Sequence, residues 1–297
     1  MKYVLICFVF AELIFTTTLI CLSRTYIKDC KAGMMIYFFT NSLNILISSS
    51  KAKIRTYFNL PILTISFCYT ASSLLQMISF YMNISSVTFS NYYSLRVVIV
   101  SLISSFVLNK KYTIMQRSGK VLVVLGVIIQ FFADKSNSLK PYILFSIGSG
   151  AFNAVAAVIF EAKIKNRISD VFSYIFTYSF SYIPFNLIAS IFEYNKYRYD
   201  FLFKHWIFYV LIVLHVISTY MSLFLSMSCD SFERTIISNV VGLLASLFSD
   251  LILLGKCDIF PLIGFTFVFI GIYLYINNKR EEKQIENPEL DVNLEVQ

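Results

Sequence analysis

Residues 86–108 read SVTFSNYYSLRVVIVSLISSFVL, an apolar run in which Arg96 is the only charged residue. As a helix, a run of this length crosses the ~30 Å hydrocarbon layer of a bilayer. An arginine in the middle of such a helix costs about 3 kcal/mol or more, so it normally faces a wet cavity or a fixed partner. The stretch therefore predicts both a membrane span and a buried positive charge.

The rest of the chain has the same character. Of its 297 residues, 57% are hydrophobic and 14% are charged, and the mean hydropathy is +0.70. Soluble domains carry roughly 25% charged residues, so this chain lacks the polar surface that water demands. We predict an all-α membrane protein with a single transmembrane domain over residues 1–278. The charged tail at 279–297 is expected to be disordered and cytosolic.

Ten apolar segments predict ten transmembrane helices, because each is close to the length that spans a bilayer. The first is interpreted as a retained helix, since it contains Glu12 and lacks the small-residue cleavage site of a signal peptide. The segments are residues 3–22, 33–50, 58–81, 86–108, 119–133, 141–161, 171–192, 205–226, 234–254 and 259–277.

The distribution of basic residues predicts the orientation. Ten spans place both termini on one side, where the termini and the segments between the helices together hold 14 Lys and Arg, against 9 on the other side. Basic residues favour the cytosol, so both termini are expected to be cytosolic.

A repeated spacing indicates an internal duplication. Lys111 precedes Gly126 by fifteen residues, and Lys256 precedes Gly271 by the same fifteen. Two five-helix halves, about 1–135 and 136–278, would enter the membrane in opposite directions because five is odd. This arrangement is typical of inverted-repeat transporters.

Several functional classes are excluded by composition and motif. The net charge of +8 is scattered through the predicted loops, so we expect no nucleic-acid partner. The six cysteines show no metal or redox spacing, and His205 and His215 have no carboxylate motif beside them. No nucleophile elbow, zinc-protease motif or P-loop is present. We therefore expect no enzyme activity, no metal and no cofactor.

The residues around Arg96 form a candidate binding face. Ser90 lies three positions before Tyr93 and four before Ser94, so the three residues share one face of the helix. This spacing places hydroxyl groups beside the guanidinium. The alternative is an arginine that pairs with a carboxylate such as Glu12 to assemble helices.

A second arginine, Arg234, opens the ninth predicted helix, which continues with Ser238 and Asn239. A guanidinium binds two phosphate oxygens at once and stays charged at any working pH. Two arginines from opposite halves would hold a diphosphate near the midplane, with Tyr178 and Ser181 among the other substrate contacts. The alternatives are a helix-end ion pair for the arginine and close helix packing for the small residues.

Several blocks of the sequence resemble one family. Residues 69–130 resemble the third to fifth helices of eukaryotic nucleotide-sugar transporters, in the drug/metabolite transporter superfamily. Within them, VTFSNYYSLR at 87–96 is similar to the family's A-T-F-Q-V-T-Y-Q-L-K. Further blocks are IFEAK at 159–163, similar to Y-F-E-K, DSFER at 230–234, similar to D-N-I-L-K-G, and GIYLY at 271–275, similar to S-I-Y-L-Y. The branch that carries CMP-sialic acid, UDP-galactose and UDP-N-acetylglucosamine is the most similar.

The resemblance implies an antiporter in the Golgi or endoplasmic reticulum membrane. It would exchange a cytosolic nucleotide-sugar, with UDP-sugars as the first expectation, for luminal nucleoside monophosphate by alternating access. The family's two phosphate-binding lysines correspond to Arg96 and Arg234. The family's asparagine pair in the third helix falls near Ser72, and its Asn-Ile-Gln becomes residues 175–177, so base recognition is not carried over.

Other interpretations remain open at this point. The chain would carry a different phosphorylated metabolite, or it would be a non-transporting membrane scaffold for a glycosyltransferase. Its assembly, as a monomer or a homodimer, is also open. The GALNK motif of GDP-mannose carriers is absent from the sequence, which disfavours that substrate.

Overall fold

The computed structural model describes residues 11, 13–18, 20–22, 33–49, 60–82, 84–109, 113–133, 141–165, 171–196, 206–229, 231–254, 263–264, 266–271 and 273–274. Within these ranges the regular structure is helical throughout. The helices are α1 (Leu13–Leu22), α2 (Gly33–Ser49), α3 (Leu60–Tyr81), α4 (Ser86–Tyr93), α5 (Arg96–Val107), α6 (Ile114–Ala133), α7 (Pro141–Ile159, continued by a π-helical turn at Phe160–Ile164), α8 (Val171–Lys196), α9 (Trp206–Ser228), α10 (Ser231–Leu254) and α11 (263–264, 266–271 and 273–274).

Five stretches of the described chain are long and apolar enough to cross a membrane: Leu60–Tyr81, Ser86–Val107, Pro141–Ile164, Trp206–Ser228 and Arg234–Leu253. The all-α prediction is confirmed for the described residues, and these helices have the character of a multi-pass membrane protein. The count of ten spans goes beyond these five and stays a prediction. Glu12, both termini and the tail at 279–297 lie outside the described residues.

Two departures from the predicted helices have local causes. Helix α6 begins at Ile114 rather than at 119, because Thr113 and Gln116 cap it reciprocally: the Gln116 backbone N–H donates to Thr113 Oγ1 at 3.3 Å, and the Thr113 N–H donates to Gln116 Oε1 at 2.9 Å. The span at 86–108 is interrupted between α4 and α5, where Ser94 Oγ donates to the Ser90 carbonyl at 2.7 Å. Such a bond competes with the helical ladder and often bends a helix.

Helix α7 packs along α3, α2 packs along α8, and α10 crosses α4 and α5. At the α3–α7 contact Ser72 Oγ donates to the Ser149 carbonyl at 2.9 Å, and Ser149 Oγ donates to the Ser72 carbonyl at 2.9 Å. Small hydroxyl residues permit this close backbone approach, which is how membrane helices associate without a hydrophobic driving force.

We expect Ser72→Ala and Ser149→Ala to be coupled. A double-mutant cycle on thermal unfolding in detergent should give an interaction energy of about 0.6–1.7 kcal/mol, because the two hydroxyl oxygens also lie 3.0 Å apart and each substitution removes one member of that hydrogen-bonded pair. Ser118→Ala on exposed α6, whose hydroxyl bonds only within its own helix, is the matched control and should show no coupling to either site. Additive effects of the two core substitutions would contradict the prediction.

One spacing recurs along the chain. Helices α4 and α10 begin at Ser86 and Ser231, 145 positions apart. The same distance separates the YxxxN pattern of α2, Tyr37 to Asn41, from the YxxxN pattern of α8, Tyr182 to Asn186.

Helices α6 and α11 meet through two glycines that are also 145 positions apart. A Cβ at Gly126 would lie 2.6 Å from the Gly264 carbonyl oxygen, and a Cβ at Gly271 would lie 2.5 Å from the Gly119 carbonyl oxygen. Gly119 and Gly264 are separated by the same 145 positions, so each contact is the counterpart of the other. The two helices thus approach each other reciprocally at positions that only glycine fits.

Candidate functional site

A cavity of about 320 Å³ lies between α2, α3, α4, α5, α7, α8, α9 and α10. Its lining combines two arginines, six tyrosines, two asparagines and one histidine with hydroxyl residues and a few apolar side chains. The lining residues are Tyr37, Thr40, Asn41, Tyr69, Tyr93, Arg96, Asn153, Ala157, Phe160, Tyr174, Ile175, Tyr178, Tyr182, His215, Ser218, Thr219, Ser222, Leu223, Ser226, Arg234, Thr235 and Ser238.

Arg96 is the first residue of α5, directly after the break between the two helices, and it is 5% exposed. One terminal nitrogen, Nη1, donates to the Tyr93 hydroxyl at 2.9 Å and to Asn153 Oδ1 at 3.3 Å. The other, Nη2, donates to Ser238 Oγ at 3.0 Å. The guanidinium carbon also lies 4.3 Å from the centroid of the Tyr93 ring, within cation–π range.

The Arg96 charge is held by neutral groups. Its hydrogen-bond acceptors in the described chain are hydroxyl and amide oxygens, and its buried Nε has no partner there. Glu12, the carboxylate considered above, lies outside the described residues. Neutral dipoles do not cancel the positive charge of Arg96, and its Nε–H keeps no acceptor among the residues described. An anion that enters the cavity would therefore be attracted by the charge and bound by this N–H.

Arg234 is in the first turn of α10, and its Nη2 donates to Ser222 Oγ of α9 at 3.1 Å. The guanidinium also lies beside the Tyr69 side chain. Ser238, which binds Arg96, is one helical turn further along the same face of α10, a rise of roughly 5.4 Å. Both guanidiniums are therefore anchored on neighbouring turns of one helix.

Helix α8 contributes an aromatic wall. Tyr174 and Tyr178 stack with ring centroids 5.9 Å apart, and Tyr182 follows at 5.1 Å from Tyr178. Tyr69 of α3 meets Tyr178 edge to face at 6.2 Å. The three α8 tyrosines are four residues apart, which aligns them on one face of the helix.

Of the nine substrate-binding residues predicted from sequence, five line the cavity: Arg96, Arg234, Tyr93, Tyr178 and Ser238.

The structure places the other four outside the lining. Asn239 Nδ2 donates to Ser94 Oγ at 2.9 Å, and Ser90 Oγ bonds with Ser246 Oγ at 2.5 Å, so these residues join α10 to α4. Ser181 Oγ donates to the Thr177 carbonyl within α8. For Asn239, close helix packing is the alternative given above, and its contact with Ser94 is of that kind.

Sequence reasoning missed several lining residues, among them Thr40, Asn41, Asn153, His215 and Ser222. These polar residues lie in apolar helices and match no functional motif. The signals available were Asn153 within the run GAFNAVAAV and the YxxxN repeat that contains Asn41.

No protein-family model and no curated protein sequence matches this chain. Among solved structures 23 chains match, and one of them, a protein of known crystal structure, superposes with a TM-score of 0.65. That similarity covers 93% of this chain and 97% of the other, at 10% sequence identity. At this identity the likeness shows a shared fold and nothing about the ligand.

Proposed function

We propose that the chain is a ten-span carrier of the nucleotide-sugar transporter type. It exchanges a cytosolic nucleotide-sugar for luminal nucleoside monophosphate, and a UDP-sugar is the first candidate for the substrate. The observation that carries the proposal is the pair Arg96 and Arg234 in one cavity whose described lining residues include no carboxylate.

The cavity chemistry supports an anionic cargo with phosphate groups. The guanidiniums of Arg96 on α5 and Arg234 on α10 offer forked donors, and phosphate accepts such pairs bidentately. The surrounding tyrosines and serines supply neutral hydrogen bonds and ring surfaces without competing negative charge. A dianionic or trianionic solute gains most from this arrangement, because both positive charges act on it in a desolvated site.

Two features support a transport cycle built on inverted repeats. The constant 145-residue spacing and the reciprocal contacts of Gly126 and Gly271 fit two related halves of opposite orientation. The cavity takes its lining from helices on both sides of the boundary near residue 135. A site at the interface of two repeats is where rocking of one half against the other exposes a solute alternately to each side.

The proposals for the organelle membrane and for the substrate class are based on the sequence resemblance. The blocks at 87–96 and 230–234 resemble the family's motifs, with arginines in place of its phosphate-binding lysines. A Golgi or endoplasmic reticulum membrane follows from the same resemblance, and the basic-residue bias favours cytosolic termini.

Proteoliposomes test the proposal. We expect radiolabelled UDP-sugar to accumulate in vesicles that are preloaded with UMP and to accumulate far less in empty vesicles. Uptake of sugar phosphates instead of nucleotide-sugars would replace the proposal with carriage of another phosphorylated metabolite. Absence of flux for every anion tested would leave the scaffold interpretation.

Tyr93→Phe is expected to lower UMP affinity roughly 3- to 10-fold. The substitution removes the hydroxyl that accepts from Arg96, a bond worth roughly 1 kcal/mol, but keeps the ring beneath the guanidinium. Tyr93→Ala removes both and should weaken binding further. Equilibrium binding to the purified protein measures the difference, and the prediction fails if the two variants bind UMP equally well.

A further inference from the structure

The two sides of the cavity differ in chemistry. Arg96 and Arg234 come from α5 and α10, whereas α2 and α9 contribute Tyr37, Thr40, Asn41 and His215. These four residues are called the α2–α9 side here, and none of them is Asp, Glu, Lys or Arg. A cargo with an anionic end and an uncharged polar end would match both sides at once.

Thr40 gives the strongest evidence that a ligand binds to the α2–α9 side. Its side chain is 2% exposed and lines the cavity, and its Oγ1 has no hydrogen-bond partner among the described residues. Ser48 and Thr70, which are also buried, donate to the carbonyl four residues earlier. Ser66 and Ser104 are described hydroxyls that are buried without a partner, as Thr40 is, but they do not line the cavity. An unpaired buried hydroxyl is unfavourable unless a ligand satisfies it.

Asn41 follows Thr40 in the sequence, and its side-chain amide has hydrogen-bonding groups that are not used within α2. Its Nδ2 donates to the Tyr37 carbonyl at 2.8 Å, which uses one of the two N–H groups. The second N–H and the carbonyl oxygen form a donor–acceptor pair of the kind that an amide-like edge binds. Asn41 is also 5% exposed within the cavity lining, so this pair is shielded from bulk water.

Two aromatic rings border the same side. Tyr37 and His215 lie with ring centroids 4.8 Å apart and planes inclined by 58°. Aromatic surfaces in such a position favour a flat ring as the ligand group.

We propose that the α2–α9 side is the subsite that recognises a nucleobase, with Thr40 and Asn41 binding its amide-like edge. This inference rests on the proposed function and adds specificity to it. It locates base recognition away from Ser72, the region to which the family resemblance points, because Ser72 bonds to Ser149 at the α3–α7 contact.

The test compares UMP with ribose 5-phosphate, which has the same sugar and phosphate but no base. For the purified full chain we expect UMP to bind at least about 10-fold more tightly than ribose 5-phosphate. Thr40→Val, which is isosteric, should weaken UMP binding roughly 5- to 10-fold and leave ribose 5-phosphate unchanged. Asn41→Leu should act in the same direction. Thr64→Val is the matched control, because the Thr64 hydroxyl forms an exposed hydrogen bond to the Leu60 carbonyl outside the cavity lining.

The outcomes separate this inference from the proposed function. If Thr40→Val and Asn41→Leu change the affinities for UMP and ribose 5-phosphate by the same factor, or change neither, base recognition lies elsewhere and the inference is overturned while phosphate binding stands. If the unmodified protein binds neither compound, the proposed function fails together with it. Selective loss of UMP affinity in both variants supports the subsite.

Discussion

Arg96→Gln is expected to reduce UDP-sugar exchange by at least about 100-fold. The substitution removes two or more charge-assisted hydrogen bonds to phosphate, each worth roughly 1.5–3 kcal/mol, and a tenfold change corresponds to about 1.4 kcal/mol. Arg96→Lys keeps the charge but loses the fork, so it should retain part of the activity. Counterflow in proteoliposomes measures all three proteins.

The fold should survive this change. Arg96 is buried among neutral groups, so replacing it with an amide removes a desolvated charge and leaves no opposite charge unpaired. We therefore expect the thermal midpoint to stay the same or rise. Arg117→Gln, on the exposed face of α6, is the matched control and should change neither quantity. Full exchange by the Arg96→Gln protein would refute the role of this arginine.

Gly126→Ala and Gly271→Ala are each expected to destabilise the protein by about 1–3 kcal/mol. The new methyl groups would lie 2.6 Å and 2.5 Å from backbone carbonyl oxygens of the facing helix. A helix backbone cannot relieve such a clash by rotating, as a flexible side chain can. Because the two contacts are counterparts, the two losses should be similar. Thermal unfolding in detergent provides the comparison.

A third glycine is the control for this pair. A Cβ at Gly242 in α10 meets nothing within 4 Å, so Gly242→Ala should stabilise the helix by roughly 0.5–1 kcal/mol through its better helix propensity. If Gly126→Ala and Gly271→Ala are also neutral or stabilising, the close approach of α6 and α11 is wrong.

The helices could be predicted from sequence because their signal is local. An uninterrupted apolar run fixes a helix almost irrespective of its surroundings, and α3, α8 and α9 begin within two residues of the positions predicted for them. Helix α6 was predicted five residues too short, because Arg117 and Lys120 give its first turns a polar composition. The reciprocal capping by Thr113 and Gln116 was the signal that could have corrected its start.

The cavity could be predicted only in part. Arg96 was identifiable because a charge in the middle of an apolar run is stable in only a few environments within a membrane. Asn153 was not, because its role arises only where α7 approaches α5, and the sequence does not encode that distance locally. Asn239 shows the converse: it looks like a ligand residue in the sequence, yet its amide bonds to Ser94 at a helix crossing.

The most direct measurement of the central claim is an experimental structure of the protein with bound UMP. We expect the phosphate to lie between Arg96 and Arg234, within hydrogen-bonding distance of both guanidiniums, with the base on the side of Thr40 and Asn41. A cavity that stays empty at saturating UMP, or a phosphate that binds outside it, would contradict the account.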